Sequence, residues 1–145
     1  GAEPLELIEL ARRADFLSVH VPLTPVTLGL IGERVIASMK PTSFVVNTAR
    51  GGVVDQVALL AALEEGRIAG AALDVFVPER LPADHPLLAQ NGLIVTPHVA
   101  FYSEESVHDL EVLAAGNVAA ILSGRRPASV VNPEVLELAR WAHLR

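Results

Sequence analysis

Residues 44–55, FVVNTARGGVVD, constrain the fold of this 145-residue chain more than any other segment. The stretch begins with an apolar, β-branched run, which predicts a buried strand. Arg50 ends a short polar turn, and the two glycines after it allow the backbone to turn tightly and to approach a ligand. Asp55 then predicts the N-cap of a helix. An arginine between a buried parallel strand and a helix lies where open α/β sheets bind their ligands.

Similar apolar runs recur along the chain and alternate with segments of helical periodicity. The predicted strands are residues 15–21, 43–47, 71–76 and 93–96, and the predicted helices are residues 4–14, 32–39, 55–65, 103–124 and 134–143. The long helix is expected to begin at the N-cap Ser103 and to bury a stripe that consists of Val107, Leu110, Ala114, Val118 and Ile121. Apolar strands that alternate with helices are typical of a parallel sheet covered on both faces.

Composition excludes several classes of function. A net charge of −6 argues against a nucleic-acid or anionic-membrane partner. The chain has no cysteine, which excludes disulfides and thiol catalysis, and its five histidines lack the spacing of a metal site. The longest apolar stretch, residues 57–63, is too short to span a bilayer, and no signal peptide is visible. We therefore expect a soluble cytoplasmic protein.

Polar residues follow three successive predicted strands. They are Arg50, the segment 74–79 with its carboxylates, and His98. Because the carboxyl ends of parallel strands share one edge, we expect these residues to converge there. Arginine can hold a carboxylate with two hydrogen bonds, and a histidine beside a carboxylate suits general acid–base catalysis. His20, inside the first strand, is expected to be a packed structural residue.

Five ordered motifs make the chain resemble the carboxyl-terminal part of the D-isomer-specific 2-hydroxyacid dehydrogenases. This family includes phosphoglycerate dehydrogenase, formate dehydrogenase and the C-terminal-binding-protein corepressors. The motifs are residues 14–24 (ADFLSVHVPLT), 39–41 (MKP), 47–55 (NTARGGVVD), 70–76 (GAALDVF) and 96–98 (TPH). Residues 96–103 are most similar to the C-terminal-binding-protein branch. The resemblance implies a partial Rossmann-type, doubly wound parallel sheet that lacks the glycine-rich first strands.

The resemblance also implies a role for each matching residue. Arg50 would hold the substrate carboxylate, and His98 would exchange a proton with the substrate oxygen. Glu79 would hydrogen-bond to His98. Asp74 would bind the nicotinamide carboxamide, and the alternative for Asp74 is that it caps a loop. The implied cofactor is NAD, with NADP left open. Its expected contacts are Val21, Pro22, Thr27, Thr48, Ala49, Arg50, Asp74, His98 and Ala100.

The chain departs from the family pattern in two respects. Arg80 follows Glu79 where the family usually has proline, and an adjacent cation could draw Glu79 away from His98. No G-x-G-x-x-G is present to receive a pyrophosphate. In the strand order 3-2-1-4-5-6, we expect residues 15–21 to form strand 3 and residues 43–47 to form strand 4, with the missing strands between them. The first strand would then be orphaned or would re-pair beside residues 43–47.

The leading hypothesis is a truncated NAD-dependent oxidoreductase that interconverts a small D-2-hydroxy acid and its 2-oxo acid. Residues 1–102 would be the carboxyl-terminal part of the NAD-binding domain. Residues 103–145 would be a crossover helix and tail of the substrate domain. A homodimer is expected for the full-length form, with no nucleic acid bound directly and no membrane. The alternatives are a dinucleotide-sensing, corepressor-like binding protein and an inactive remnant.

Overall fold

The computed structural model describes residues 1–144 and divides the chain into two compact units, residues 1–100 and the residues from 101 onward. The first unit contains α1 (Leu7–Arg13), β1 (Phe16–Val19), α2 (Glu33–Ile36), β2 (Phe44–Asn47), α3 (Gln56–Glu64), β3 (Gly70–Leu73) and β4 (Leu93–Val95). The second unit contains α4 (Glu104–Leu122). Short 3₁₀ turns lie at Gly51–Val53, Pro86–Ala89, Pro133–Glu137 and Ala139–Trp141.

The four strands form one parallel sheet in the order β1-β2-β3-β4, which confirms the predicted α/β class. Phe16 pairs directly with Phe44, so no strand lies between β1 and β2. Of the two outcomes expected for the first strand, pairing beside residues 43–47 is confirmed. In the order 3-2-1-4-5-6, strands 1–3 and strands 4–6 each lie side by side in chain order, and the glycine-rich turn follows strand 1. The chain has no G-x-G-x-x-G, so its directly paired strands correspond to the half that begins at strand 4, with β1 as strand 4 and one strand beyond strand 6. Apolar runs look alike in both halves, so the pattern of the strands alone could not distinguish them.

Helices cover one face of this sheet. Leu17, Val45 and Leu73 point into a core completed by Ile36 from α2 and Leu59 from α3. The expected cover on the other face is not found among residues 1–100. There the ring of Phe16 is 68% exposed and stacks on Phe44, with 5.4 Å between the ring centroids.

The turn between β2 and α3 matches the sequence prediction in detail. Asp55 caps α3, since its Oδ1 accepts hydrogen bonds from the backbone N–H groups of Val57 at 3.0 Å and Ala58 at 3.1 Å. A Cβ atom on Gly51 would lie 2.3 Å from the carbonyl carbon of Phe76. Only glycine therefore allows this turn to lie against the segment that follows β3.

The second unit differs from its prediction in two ways. Ser103 caps α4 as expected, but the buried stripe is wrong, because Leu110 is 61% exposed and only Ala120 is buried within the helix. A helical apolar stripe is buried only where another element packs against it. The terminal helix is replaced by two 3₁₀ turns, separated at Leu138, whose backbone is extended. Among the described residues, none of the helices is both long and apolar enough to cross a membrane.

Candidate active site at the carboxyl edge of the sheet

Two of the three predicted catalytic residues are in direct contact. The Nδ1 atom of His98 and the Oε1 atom of Glu79 lie 2.5 Å apart. A carboxylate can only accept, so Nδ1 carries the proton and donates it to Glu79. Both side chains are about half exposed, which leaves the other ring nitrogen of His98 available to a ligand. Glu79 thus pairs with His98, and the neighbouring Arg80 does not draw it away.

The backbone of His98 adopts an uncommon conformation. With φ at +57°, it is the one residue other than glycine in the left-handed region among residues 1–144. Such a conformation costs about 1–3 kcal/mol and persists only where the surroundings impose it. Here the His98 N–H donates to the carbonyl oxygen of Asp74 at 2.8 Å. The ring is therefore aimed by backbone constraint.

Asp74 provides most of that constraint. Asp74 is 3% exposed, and its carboxylate accepts hydrogen bonds from Thr96 Oγ1 at 2.5 Å, Val99 N–H at 2.8 Å and Ala100 N–H at 2.9 Å. Burial raises the pKa of Asp74, but the hydrogen bonds from Thr96, Ala100 and Val99 outweigh it and hold that pKa below its ordinary value. The ionised carboxylate therefore fastens the loop on both sides of His98.

The sequence left loop capping open as the lesser alternative for Asp74, but it did not predict that the loop held in this way is the one that carries His98. The register between β3 and β4 is the feature that indicates this contact. Leu73 pairs with Val95, so the residues that follow them, Asp74 and Thr96, are neighbours at the same level of the sheet. A carboxylate has about four acceptor positions, and three of them are used here. One position is left for a further donor.

Arg50, the third predicted catalytic residue, has a different hydrogen-bond partner. Its side chain is exposed and its Nη1 donates to the carbonyl oxygen of Ala49 at 2.6 Å. Within residues 1–144, no hydrogen bond or ion pair joins Arg50 to Glu79 or His98. The turn that carries it is held by Asn47, which is 1% exposed. The Asn47 amide accepts from Ala49 N–H and donates to the Arg50 carbonyl, both at 3.0 Å.

Arg50 opens onto a cavity of about 550 Å³. The cavity is lined by His20, Val21, Pro22, Leu23, Ala49 and Arg50. Four predicted cofactor contacts therefore share one concave surface. His20 is exposed and hydrogen-bonded to Ser18 at 2.8 Å, so the prediction that it is a packed residue is wrong. Its side chain is instead one of those that line the cavity. It alternates with the buried Val19 and points to the open face of the sheet.

The remaining predicted cofactor contacts lie around this edge. The hydroxyl of Thr27 donates to the carbonyl oxygen of Pro22, one of the residues that line the cavity, at 2.6 Å. Thr48 and Ala100 are exposed. No group of three or more acidic or histidine side chains that could hold a metal ion occurs in the described part of the chain.

Residues 1–100 match a known family, described as D-isomer specific 2-hydroxyacid dehydrogenase, NAD binding domain. The chain is 47% identical over 133 residues to the glyoxylate reductase of Thermofilum pendens, covering 92% of this chain and 39% of that protein. It is 45% identical over 127 residues to the D-3-phosphoglycerate dehydrogenase of Methanocaldococcus jannaschii, covering 88% of this chain and 24% of that protein. The chain thus spans less than half the length of these relatives.

Solved structures show the same likeness. The TT0316 protein of Thermus thermophilus superimposes with a TM-score of 0.84 and 41% identity, over 88% of this chain and 40% of that one. The D-lactate dehydrogenase of Lactobacillus jensenii, solved with NAD⁺, gives a TM-score of 0.80 and 34% identity, over 88% of this chain and 42% of that one.

Proposed function

The chain belongs to the D-isomer specific 2-hydroxyacid dehydrogenase family, and from that premise we propose that it carries the proton-transfer and carboxylate-binding groups of an NAD-dependent oxidoreductase. The reaction would interconvert a small D-2-hydroxy acid and its 2-oxo acid. The observation that carries the proposal is the His98–Glu79 pair, held on a loop that Asp74 fastens. This arrangement provides an oriented acid–base group at a ligand-binding edge.

His98 would act through its Nε2 atom. When the ring is protonated, Nε2–H donates to the carbonyl oxygen of the 2-oxo acid, and that oxygen receives the proton as its carbon is reduced. When the ring is neutral, Nδ1–H stays on Glu79 and Nε2 is the acceptor, which suits removal of the hydroxyl proton in the reverse direction. Bound nicotinamide dinucleotide would supply the hydride for reduction and accept it in oxidation.

Arg50 would bind the substrate carboxylate. A guanidinium offers two parallel N–H donors to a carboxylate, a stronger interaction than its present hydrogen bond to a neutral carbonyl. Its side chain is exposed and is free to turn from Ala49 towards an incoming anion. Substrate binding would then complete the catalytic set by bringing the carboxylate to Arg50 and the reacting oxygen to His98.

The cofactor would lie along the cavity beside Arg50. Val21, Pro22 and Ala49, which line that cavity, would contact the cofactor together with Thr27, Thr48 and Ala100. The remaining acceptor position of Asp74 suits the N–H₂ group of a carboxamide. We propose NAD as the cofactor; a contact to the ribose 2′-position that would select against NADP is supplied in such folds by strand 2, which this chain does not contain.

The glycine-rich strand would come from a longer polypeptide. In the order 3-2-1-4-5-6, strand 1 lies beside strand 4, which places it against the free edge of β1. We propose that residues 1–102 complete such an NAD-binding domain and that residues 103–145 belong to the substrate domain. The full-length enzyme is expected to be a cytoplasmic homodimer that acts without nucleic acid or membrane.

The proposal is tested with the polypeptide that contains this chain and the glycine-rich segment. Loss of NADH absorbance is followed with glyoxylate and pyruvate as probes, and dinucleotide binding is measured separately by fluorescence. Reduction of either acid, lost in His98→Ala, is the expected result. Dinucleotide binding without turnover of any 2-oxo acid in a broad panel would overturn the enzyme reading in favour of a binding protein.

A further inference from the structure

Gln56 links the first turn of α3 to the loop that carries Glu79. Its Nε2 atom donates to the carbonyl oxygen of Val77 at 2.7 Å, and its Oε1 atom accepts from the Val77 N–H at 2.8 Å. One side-chain amide therefore satisfies both hydrogen-bonding groups of the Val77 main chain, as a neighbouring strand would. Neither the sequence motifs nor the proposed catalytic set assigns a role to Gln56.

We propose that Gln56 is a positioning residue that keeps Glu79 on His98. Only Pro78 separates the held residue from Glu79, and the proline ring fixes its own φ near −65°. Anchoring Val77 therefore leaves few torsions through which Glu79 can move away. Packing does not supply this restraint, because Val77 is 56% exposed and the Glu79 side chain is 55% exposed.

The same contact relates Glu79 to the turn that carries Arg50. Gln56 follows the cap residue Asp55, and Gly51 in the same turn lies against the backbone of Phe76. The β2–α3 turn thus meets the segment after β3 at Gly51 through packing and at Gln56 through two hydrogen bonds. The distance between the anion-binding arginine and the acid–base pair depends on both contacts.

The catalytic meaning of this inference rests on the proposed function, but the positioning itself can be measured without substrate. The test uses the ¹⁵N-labelled chain and the ring-nitrogen shifts of His98, at a pH well above the ordinary histidine value of about 6.5. These shifts report how the single proton of the neutral ring is shared between Nδ1 and Nε2. In the native chain, the acceptor Glu79 holds the proton on Nδ1.

Glu79→Ala should move the proton towards Nε2, and Gln56→Ala should move it in the same direction. The expected fall in the Nδ1–H to Nε2–H ratio for Gln56→Ala is about fivefold, the effect of weakening one hydrogen bond. The double variant should match Glu79→Ala alone. Gln56→Glu keeps the acceptor for the Val77 N–H but lacks the donor, so an intermediate ratio is expected.

Gln90→Ala is the matched control. Gln90 also hydrogen-bonds to a loop carbonyl, that of Pro86 at 3.2 Å, but it does not contact Val77. The native amide spectrum shows that a variant is folded. The inference is overturned if Gln56→Ala and Gln56→Glu are both folded by this criterion and both have the same Nδ1–H to Nε2–H ratio as Gln90→Ala. Gln56→Glu, the milder change, decides the question if Gln56→Ala does not fold.

Kinetics of the full-length enzyme separate this inference from the proposed function. If both are right, Gln56→Ala lowers kcat for the 2-oxo acid with little change in KM, because the substrate carboxylate still meets Arg50. A different outcome is also informative. If Gln56→Ala shifts the tautomer ratio but the native enzyme reduces no 2-oxo acid, the positioning role is supported and the proposed function is contradicted.

Discussion

The two halves of the carboxyl edge are built differently, although both belong to one sheet. At the ends of β3 and β4, a buried carboxylate holds the loop, a histidine adopts a left-handed backbone, and Glu79 already orients the ring. At the end of β2, the buried Asn47 holds the backbone, but within residues 1–144 the guanidinium of Arg50 makes one hydrogen bond, to the adjacent carbonyl. Proton transfer requires partners within about 2.6–3.2 Å, so its geometry is set in advance. The guanidinium of Arg50 does not have to be positioned in advance, because the negative charge of a ligand carboxylate attracts it.

Among the substitutions that test this difference between the two halves, removal of the His98 imidazole should have the largest effect. His98→Ala in the full-length enzyme is expected to lower kcat by about 10²–10⁴-fold, because the general acid–base group is lost. Steady-state reduction of a 2-oxo acid measures the loss. Arg50→Ala should instead act mainly through KM. Equal losses of kcat in the two variants would contradict the assigned division between proton transfer and anion binding.

Asp74→Ala should be the most destabilising change at the edge. It leaves the donors of Thr96, Val99 and Ala100 without their acceptor, at a cost of about 2–3 kcal/mol in the free energy of unfolding. Urea unfolding, followed by circular dichroism, measures it. A loss below ~0.5 kcal/mol would mean that the loop around His98 does not depend on this carboxylate.

Gly51→Ala tests the point at which the two halves touch. The new Cβ would lie 2.3 Å from Phe76 backbone atoms, which cannot move aside as a flexible side chain can. A loss of about 1–3 kcal/mol is expected. Gly116→Ala, in the exposed interior of α4 with no atom within 4 Å of the new Cβ, should instead stabilise by roughly 0.5–1 kcal/mol. Equal effects of the two substitutions would argue against a tight contact at Gly51.

Acidification should reduce the contribution of Asp74 to the free energy of unfolding. The pKa of Asp74 is lowered in the folded chain relative to an unfolded value of about 3.9, so its contribution to stability is complete above that value. The contribution is lost as the pH falls further, through the folded pKa. The difference in unfolding free energy between the native chain and Asp74→Asn should therefore shrink on acidification below about pH 4. A pH-independent difference would contradict the assigned ionisation.

Arg50→Ala should have the smallest effect on stability. Its side chain is exposed and makes one hydrogen bond to an adjacent carbonyl, so the free energy of unfolding should change by no more than about 0.5 kcal/mol. A thermal melt of the chain without ligand provides the measurement. A larger loss would mean that Arg50 is part of the rigid scaffold and would weaken the contrast between the two halves.

The predicted class of fold depended on features that are local in sequence. Apolar runs, Asp55 as a cap and the glycines after Arg50 identify strands, a helix start and a tight turn, because each is a short-range preference of the backbone. The location of Arg50, Asp74 and His98 at one edge follows from parallel strands, and motif resemblance supplied the expected partner Glu79.

Sequence alone thus determined the α/β class and the set of residues at the carboxyl edge. Tertiary structure decided that β1 lies beside β2, that Asp74 fastens the His98 loop and that Gln56 holds Val77. It also decided that the apolar stripe of α4 is exposed. These features depend on strand order, on partners about 20 or more residues apart and on what packs against a face. The physical reason is that such contacts form only after the chain folds, so no local preference encodes them.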